Sequence, residues 1–143
     1  MKTINFLIKI KRENKLNLID ASEEMKQSYL NKSESNLSSA KILLKNDKIE
    51  EVVSLTYYSA YNILLSLLFK IGIKSENHSA SIILLKEIFN LDDDIILFAK
   101  GERIKTQYYA DFKVTKRQVI DLIQKIEEFN GNLPDFISKL TNE

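Results

Sequence analysis

The chain has 143 residues, a formal net charge of +1, 44% hydrophobic and 29% charged residues, which suits one domain with its own core and not a uniformly basic nucleic-acid binder. It contains no cysteine and one histidine, which excludes disulfides, thiolate catalysis and a metal site built from several histidines of one chain. Three glycines and one proline leave little material for the turns of a many-stranded fold, so the expected class is all-α.

Residues 1–19 read as an N-terminal arm and 20–143 as a single helical domain. In the arm Ile4, Phe6, Ile8 and Ile10 alternate like a strand, whereas Ile4, Leu7 and Ile8 also suit a short helix. Lys9 and Lys11 interrupt the apolar run and no small-residue cleavage site follows, unlike a secretory signal, so a cytoplasmic protein is expected. Asp20 with Glu23 predicts a capping box for a first helix that runs through Met25, Tyr29, Leu37, Ala40 and Leu44 to about Asn46–Asp47.

A second helix over 49–71 is apolar almost all round and stops at Gly72. It approaches the length of a membrane span. Ser54, Thr56, Ser59, Asn62, Ser66 and the tyrosines at 57, 58 and 61 suit the centre of a bundle better, and no membrane contact is expected. Ser75 or Asn77 caps a third helix that ends near Phe89. Asp92, Asp93 and Asp94 suit a helix N-terminus, where carboxylates meet the positive end of the dipole, and they lack the ligand spacing of an EF-hand. The fourth helix runs from there to about Tyr108. The fifth opens with Thr115 and Gln118 as a capping box inside a Val114–Val119 staple. Val119, Leu122, Ile123, Ile126 and Phe129 form its buried stripe, Asn130-Gly131 closes it, and a further turn or two lies between Pro134 and Leu140.

Chemistry concentrates in a few places. His78, the side chain with an ordinary pKa near neutrality, sits at the entrance of the third helix, where a structural hydrogen bond is its commonest use. Tyr57, Tyr58 and Tyr61 fit core packing with hydroxyls seeking partners. Nothing resembles a nucleophile elbow or a phosphate-cradling glycine loop, and neither a metal nor another cofactor is expected. Two segments are locally basic. Residues 1–15 carry Lys2, Lys9, Lys11, Arg12 and Lys15 against Glu13, and residues 100–117 carry Lys100, Arg103, Lys105, Lys113, Lys116 and Arg117 against Glu102 and Asp111.

The second includes "ERIKTQYYADF", in which Arg103 offers the planar fork that suits phosphate. On a straight helix Tyr108 lies about 140° from Arg103 and Tyr109 about 120° the other way, so neither shares its face. Thr106 and Gln107 do.

Four stretches in order resemble the HEPN domain family, in its small single-domain prokaryotic branch. They are "NLSSAKILLKNDKIEEVVSLTYYSAYNILLSLLFKIGI", "SENHSASIILLKEIF", "RIKTQYYADF" and "KVTKRQVIDLIQKIEEF", and the resemblance covers about residues 22–130. The resemblance implies an up-and-down bundle of four to five helices, often a homodimer with the fourth-helix region near the symmetry axis. It also implies metal-independent ribonuclease chemistry, in which an arginine is followed four to six residues later by histidine. The setting it implies is a toxin–antitoxin or defence system with a nucleotidyltransferase partner of the MNT type. Arg103 matches the motif arginine, and the histidine position falls on Tyr108 or Tyr109.

Histidine serves as base and acid near neutral pH, whereas a phenol with an ordinary pKa near 10 is a poor base. The expected function is therefore binding, of a second copy, a nucleotidyltransferase, RNA or a nucleotide, with Arg103, Lys105, Gln107 and His78 as candidate contacts. An active ribonuclease using Arg103 with Tyr108 or Tyr109 is the alternative, and a purely structural adaptor is another.

Overall fold

The computed structural model describes residues 2–140. Among them are six helices: α1 (Lys2–Arg12), α2 (Glu23–Lys45), α3 (Ile49–Ile71), α4 (His78–Phe89), α5 (Asp94–Tyr108) and α6 (Lys116–Ser138). Two short strands, β1 (Leu16–Leu18) and β2 (Ile73–Ser75), pair antiparallel, with Leu16 opposite Ser75 and Leu18 opposite Ile73. This is the expected all-α bundle. The five predicted helices are α2–α6, and α1 lies in the arm. There the helix reading holds, over 2–12, and the alternation of Ile4, Phe6, Ile8 and Ile10 forms no strand; the strand over 16–18 has no counterpart in the sequence reading.

Helix α3 is the axle. Val52, Tyr57, Leu64, Leu67 and Leu68 are fully buried, because α2 lies along one side and α5 and α6 along others. By length and composition α3 is apolar enough to cross a membrane, and 72% of that stretch is buried within the bundle. It ends where expected, on Gly72 at φ +88°, whose amide reaches the carbonyl of Phe69. The arm crosses at this point. Ile19 donates its amide to the Gly72 carbonyl at 2.9 Å, and Ser22 donates to Phe69 at 3.1 Å.

Two local expectations change and a third is narrowed to one of its alternatives. The cap of α2 is Ser22, which accepts from the Met25 amide at 3.1 Å, and not Asp20. Glu23 thereby falls in the first turn, where it meets Lys26 and Lys70. Of the two candidates for α4, Asn77 is the cap, accepting from Ala80 at 2.9 Å. Helix α6 does not close at Asn130-Gly131 but continues through Pro134 to Ser138. The proline forfeits one helical hydrogen bond. Leu133 and Ile137 nevertheless continue the buried stripe, and Phe136 meets Phe89 edge-on at 6.0 Å, so packing outweighs the loss.

The start of α6 is as predicted. Gln118 donates its amide to Thr115 Oγ1 at 3.1 Å, and Gln118 Oε1 accepts from the Thr115 amide at 2.9 Å. Thr115→Ala removes the side-chain acceptor and is expected to lower stability by about 1 kcal/mol. Urea unfolding would read this as a lower midpoint at unchanged slope.

Candidate functional site

The residues with chemistry meet where α3, α4 and α5 converge. Tyr57, Tyr58 and Tyr61 come from one turn of α3, His78 and Ser79 from the first turn of α4, and Lys100, Arg103 and Gln107 from one face of α5. The last three are spaced by three and then four residues, which aligns them along a helix.

Tyr57 is fully buried and its hydroxyl lies 2.7 Å from His78 Nδ1. Burial, followed by the neighbouring Tyr61, pushes its ionisation well above the ordinary value, so the phenol keeps its proton. That proton requires an acceptor. The assignment that satisfies it has Tyr57 donating to Nδ1, which leaves the imidazole proton on Nε2. The ring also stacks on Tyr61 at 3.9 Å and 11°. Tyr61 is in turn 3.0 Å from Ser81 Oγ, which donates to Ser75 Oγ at 2.6 Å. His78 is thus held on two sides in one tautomer.

Its charge state follows from the same surroundings. Burial, then the Arg103 charge, then the Lys100 charge bring the His78 pKa down to about 4, so it is neutral at pH 7. The ordinary value is about 6.5, so on acidification the unfolded chain takes up the proton first. Stability is then full above about pH 6.5 and falls until about pH 4. Half-exposure of the ring keeps the loss to about 1–2 kcal/mol. Urea midpoints of the native protein minus those of His78→Gln should show this slope between those two pH values and none above.

Lys100 donates to Ser79 Oγ at 2.6 Å, and burial, then Arg103, lower its pKa. The Arg103 guanidinium stands 5.0 Å from the Tyr57 ring and 5.5 Å from the Tyr58 ring. Its Nη1 reaches Tyr58 Oη and Gln107 Oε1, both at 3.3 Å, while Nε is buried without a hydrogen-bond partner. Among the described residues neither Lys100 nor Arg103 has a carboxylate at ion-pair distance. Arg103 lies at one end of an open cleft of about 260 Å³ between α3 and α5, lined also by Glu50, Glu51, Ser54, Tyr58, Thr106 and Gln107. Such an arrangement offers an anion a guanidinium, an amide and hydroxyls beside an aromatic ring.

The predicted residues therefore divide. Arg103 and Gln107 meet as their shared face requires, and His78 joins them behind Tyr57. Lys105 turns away, pairing with Glu102 at 3.6 Å and lying 5.6 Å over Phe112. Tyr108 and Tyr109 stand outside the cleft, 69% and 58% exposed, at the end of α5. The sequence reading missed Tyr58 as a site residue and missed Lys100, although the three-residue spacing of Lys100 from Arg103 was a usable signal.

Two other features bear on function. Leu97, Gly101, Ile104 and Tyr108 recur at spacings of four, three and four on the solvent side of α5. Leu97 is 46% exposed, and a side chain at Gly101 would meet open space. Among the described residues, Asp92, Asp93 and Asp94 are the carboxylates close enough to share a cation, with ligand atoms within 4.8 Å. They head α5 as predicted, and Asp92 accepts from the Asp94 amide at 2.9 Å.

The chain matches the HEPN domain family over residues 26–131, from the first turn of α2 into α6. No curated protein matches it.

Proposed function

The chain belongs to the HEPN domain family, and from that premise we propose that it works by binding, holding a phosphate of RNA or of a nucleotide at Arg103. The observation that carries this reading is the guanidinium itself. It is poised on two tyrosines and, among the described residues, has no carboxylate at ion-pair distance. Lys100 and the Nε2 proton of His78 add donors on the same side of the bundle.

Binding is favoured over cleavage because the histidine near Arg103 is already committed. His78 accepts at Nδ1 already, and its Nε2 carries a proton. Tyr108 and Tyr109 lie in solvent outside the cleft. The proposal includes a homodimer. A second copy of α5 crossing at Gly101 would cover the stripe of Leu97, Ile104 and Tyr108 with an identical surface. An MNT-type nucleotidyltransferase partner and a cytoplasmic toxin–antitoxin or defence setting rest on family membership alone.

The test is direct. The purified protein should bind single-stranded RNA or nucleotides at low salt, lose affinity steeply as salt rises, and leave the RNA intact. Arg103-dependent cleavage would establish the ribonuclease instead, and no affinity at low salt would leave the structural adaptor. Sedimentation should give twice the chain mass.

A further inference from the structure

The far end of the Arg103 cleft is acidic, which a site built only for a phosphate backbone would avoid. Glu51, Ser54 and Tyr58 lie on one face of α3 at spacings of three and four, and all line the cleft. Tyr58 meets Arg103, so the cleft is cationic there and anionic two helical turns away, about 10 Å along α3. Glu50 is engaged by Lys113 at 3.7 Å, whereas Glu51 is absent from the ion pairs of the described residues. Thr106 and Gln107 line the stretch between on α5.

A carboxylate repels phosphate but is the strongest acceptor a protein has for hydroxyls, and its two oxygens match a vicinal pair. At about 260 Å³ the cleft is below the roughly 300–1,000 Å³ of pockets that enclose a drug-sized ligand. It suits a sugar phosphate whose base lies outside or over Tyr58.

We propose that Glu51 reads the ribose, accepting hydrogen bonds from a free 2′,3′-diol while Arg103 holds the 5′-phosphate of the same nucleotide. The site then takes a ribonucleotide with an unblocked diol, which is either a free mononucleotide or the 3′-terminal residue of an RNA. An internal RNA residue, whose 3′-oxygen carries a phosphate, is turned away by Glu51. This rests on the phosphate reading of Arg103 and adds the direction in which the ligand lies.

The experiment is calorimetric titration with adenosine 5′-monophosphate and its 2′-deoxy and 3′-deoxy analogues, on the native chain, Glu51→Gln and Arg103→Ala. The native chain should prefer the ribonucleotide about tenfold over either analogue, the worth of one charge-assisted hydrogen bond. Glu51→Gln should level that preference, and because the residue is exposed in the first turn of α3 the variant should lower the unfolding midpoint by no more than the loss of one carboxylate at a helix N-terminus. A short RNA ending in a diol, compared with the same RNA ending in a 3′-phosphate, separates the two sources. Discrimination by the RNA ends assigns the terminus, and binding of the mononucleotide alone assigns the free ligand. Arg103-dependent binding with equal affinity for ribo and deoxy forms overturns the role of Glu51 and leaves the phosphate site standing. Binding that Arg103→Ala does not weaken overturns both.

Discussion

Gly72→Ala is expected to destabilise the protein by about 3 kcal/mol, a fall in melting temperature of roughly 10 °C. Two costs add at this residue. Its φ of +88° lies where a side chain crowds its own backbone, worth about 1–2 kcal/mol. A Cβ there would also stand 2.5 Å from the Ile19 carbonyl oxygen and 3.3 Å from the Ala21 nitrogen. Both are backbone atoms, and Ile19 is held by its own amide on the Gly72 carbonyl, so relief requires moving the arm off the end of α3. Gly72→Asn separates the terms. Asparagine tolerates the left-handed conformation better but carries the same Cβ, so it should recover only part of the loss. Melting curves that place Gly72→Asn level with the native protein would show that the close approach costs nothing.

Arg103→Ala should lower affinity for RNA or nucleotide about 100-fold while leaving stability unchanged or slightly raised. The loss follows from removing a bidentate charge-assisted contact. The stability sign is opposite to that of an ordinary buried arginine. Here the native state carries a guanidinium nitrogen without a partner and two uncompensated cations side by side, both unfavourable. Arg103→Met, which retains contact with Tyr57 and Tyr58, should be more stable than the native chain by about 1 kcal/mol. It should also let the His78 pKa rise, because the Arg103 charge ranks second to burial among its causes. Imidazole proton shifts followed through a pH titration would read that movement. A variant with weakened binding and a substantially lower melting temperature would mark Arg103 as structural.

The helices were legible because their signals are local. The Thr115–Gln118 box, the αL glycine at 72 and the apolar run of α3 each depend on residues within a few positions. Pro134 misled for the same reason. The gain from burying Leu133 and Ile137 comes from other helices and leaves no mark beside the proline. The site was half legible. Helical angles separated Arg103 from Tyr108 and Tyr109 and joined it to Gln107. Those angles hold within one element and say nothing of which α3 side chain meets α5. That Tyr57 and Arg103 approach across 46 positions, and that His78 stacks on Tyr61 while its Nδ1 meets the Tyr57 hydroxyl, depends on how three helices cross. Lys100 had a one-helix signal in its three-residue spacing from Arg103.

The neutral imidazole has a consequence for the pH dependence of the proposed site. A histidine that must gain its charge to hold an anion ties affinity to acidity and weakens its grip as pH climbs through neutrality. His78 instead stays uncharged around neutral pH, with its Nδ1 already taken by the Tyr57 hydroxyl. On the proposed phosphate reading, affinity should therefore fall with salt and stay level across neutral pH, which titrations at several pH values and two salt concentrations would check.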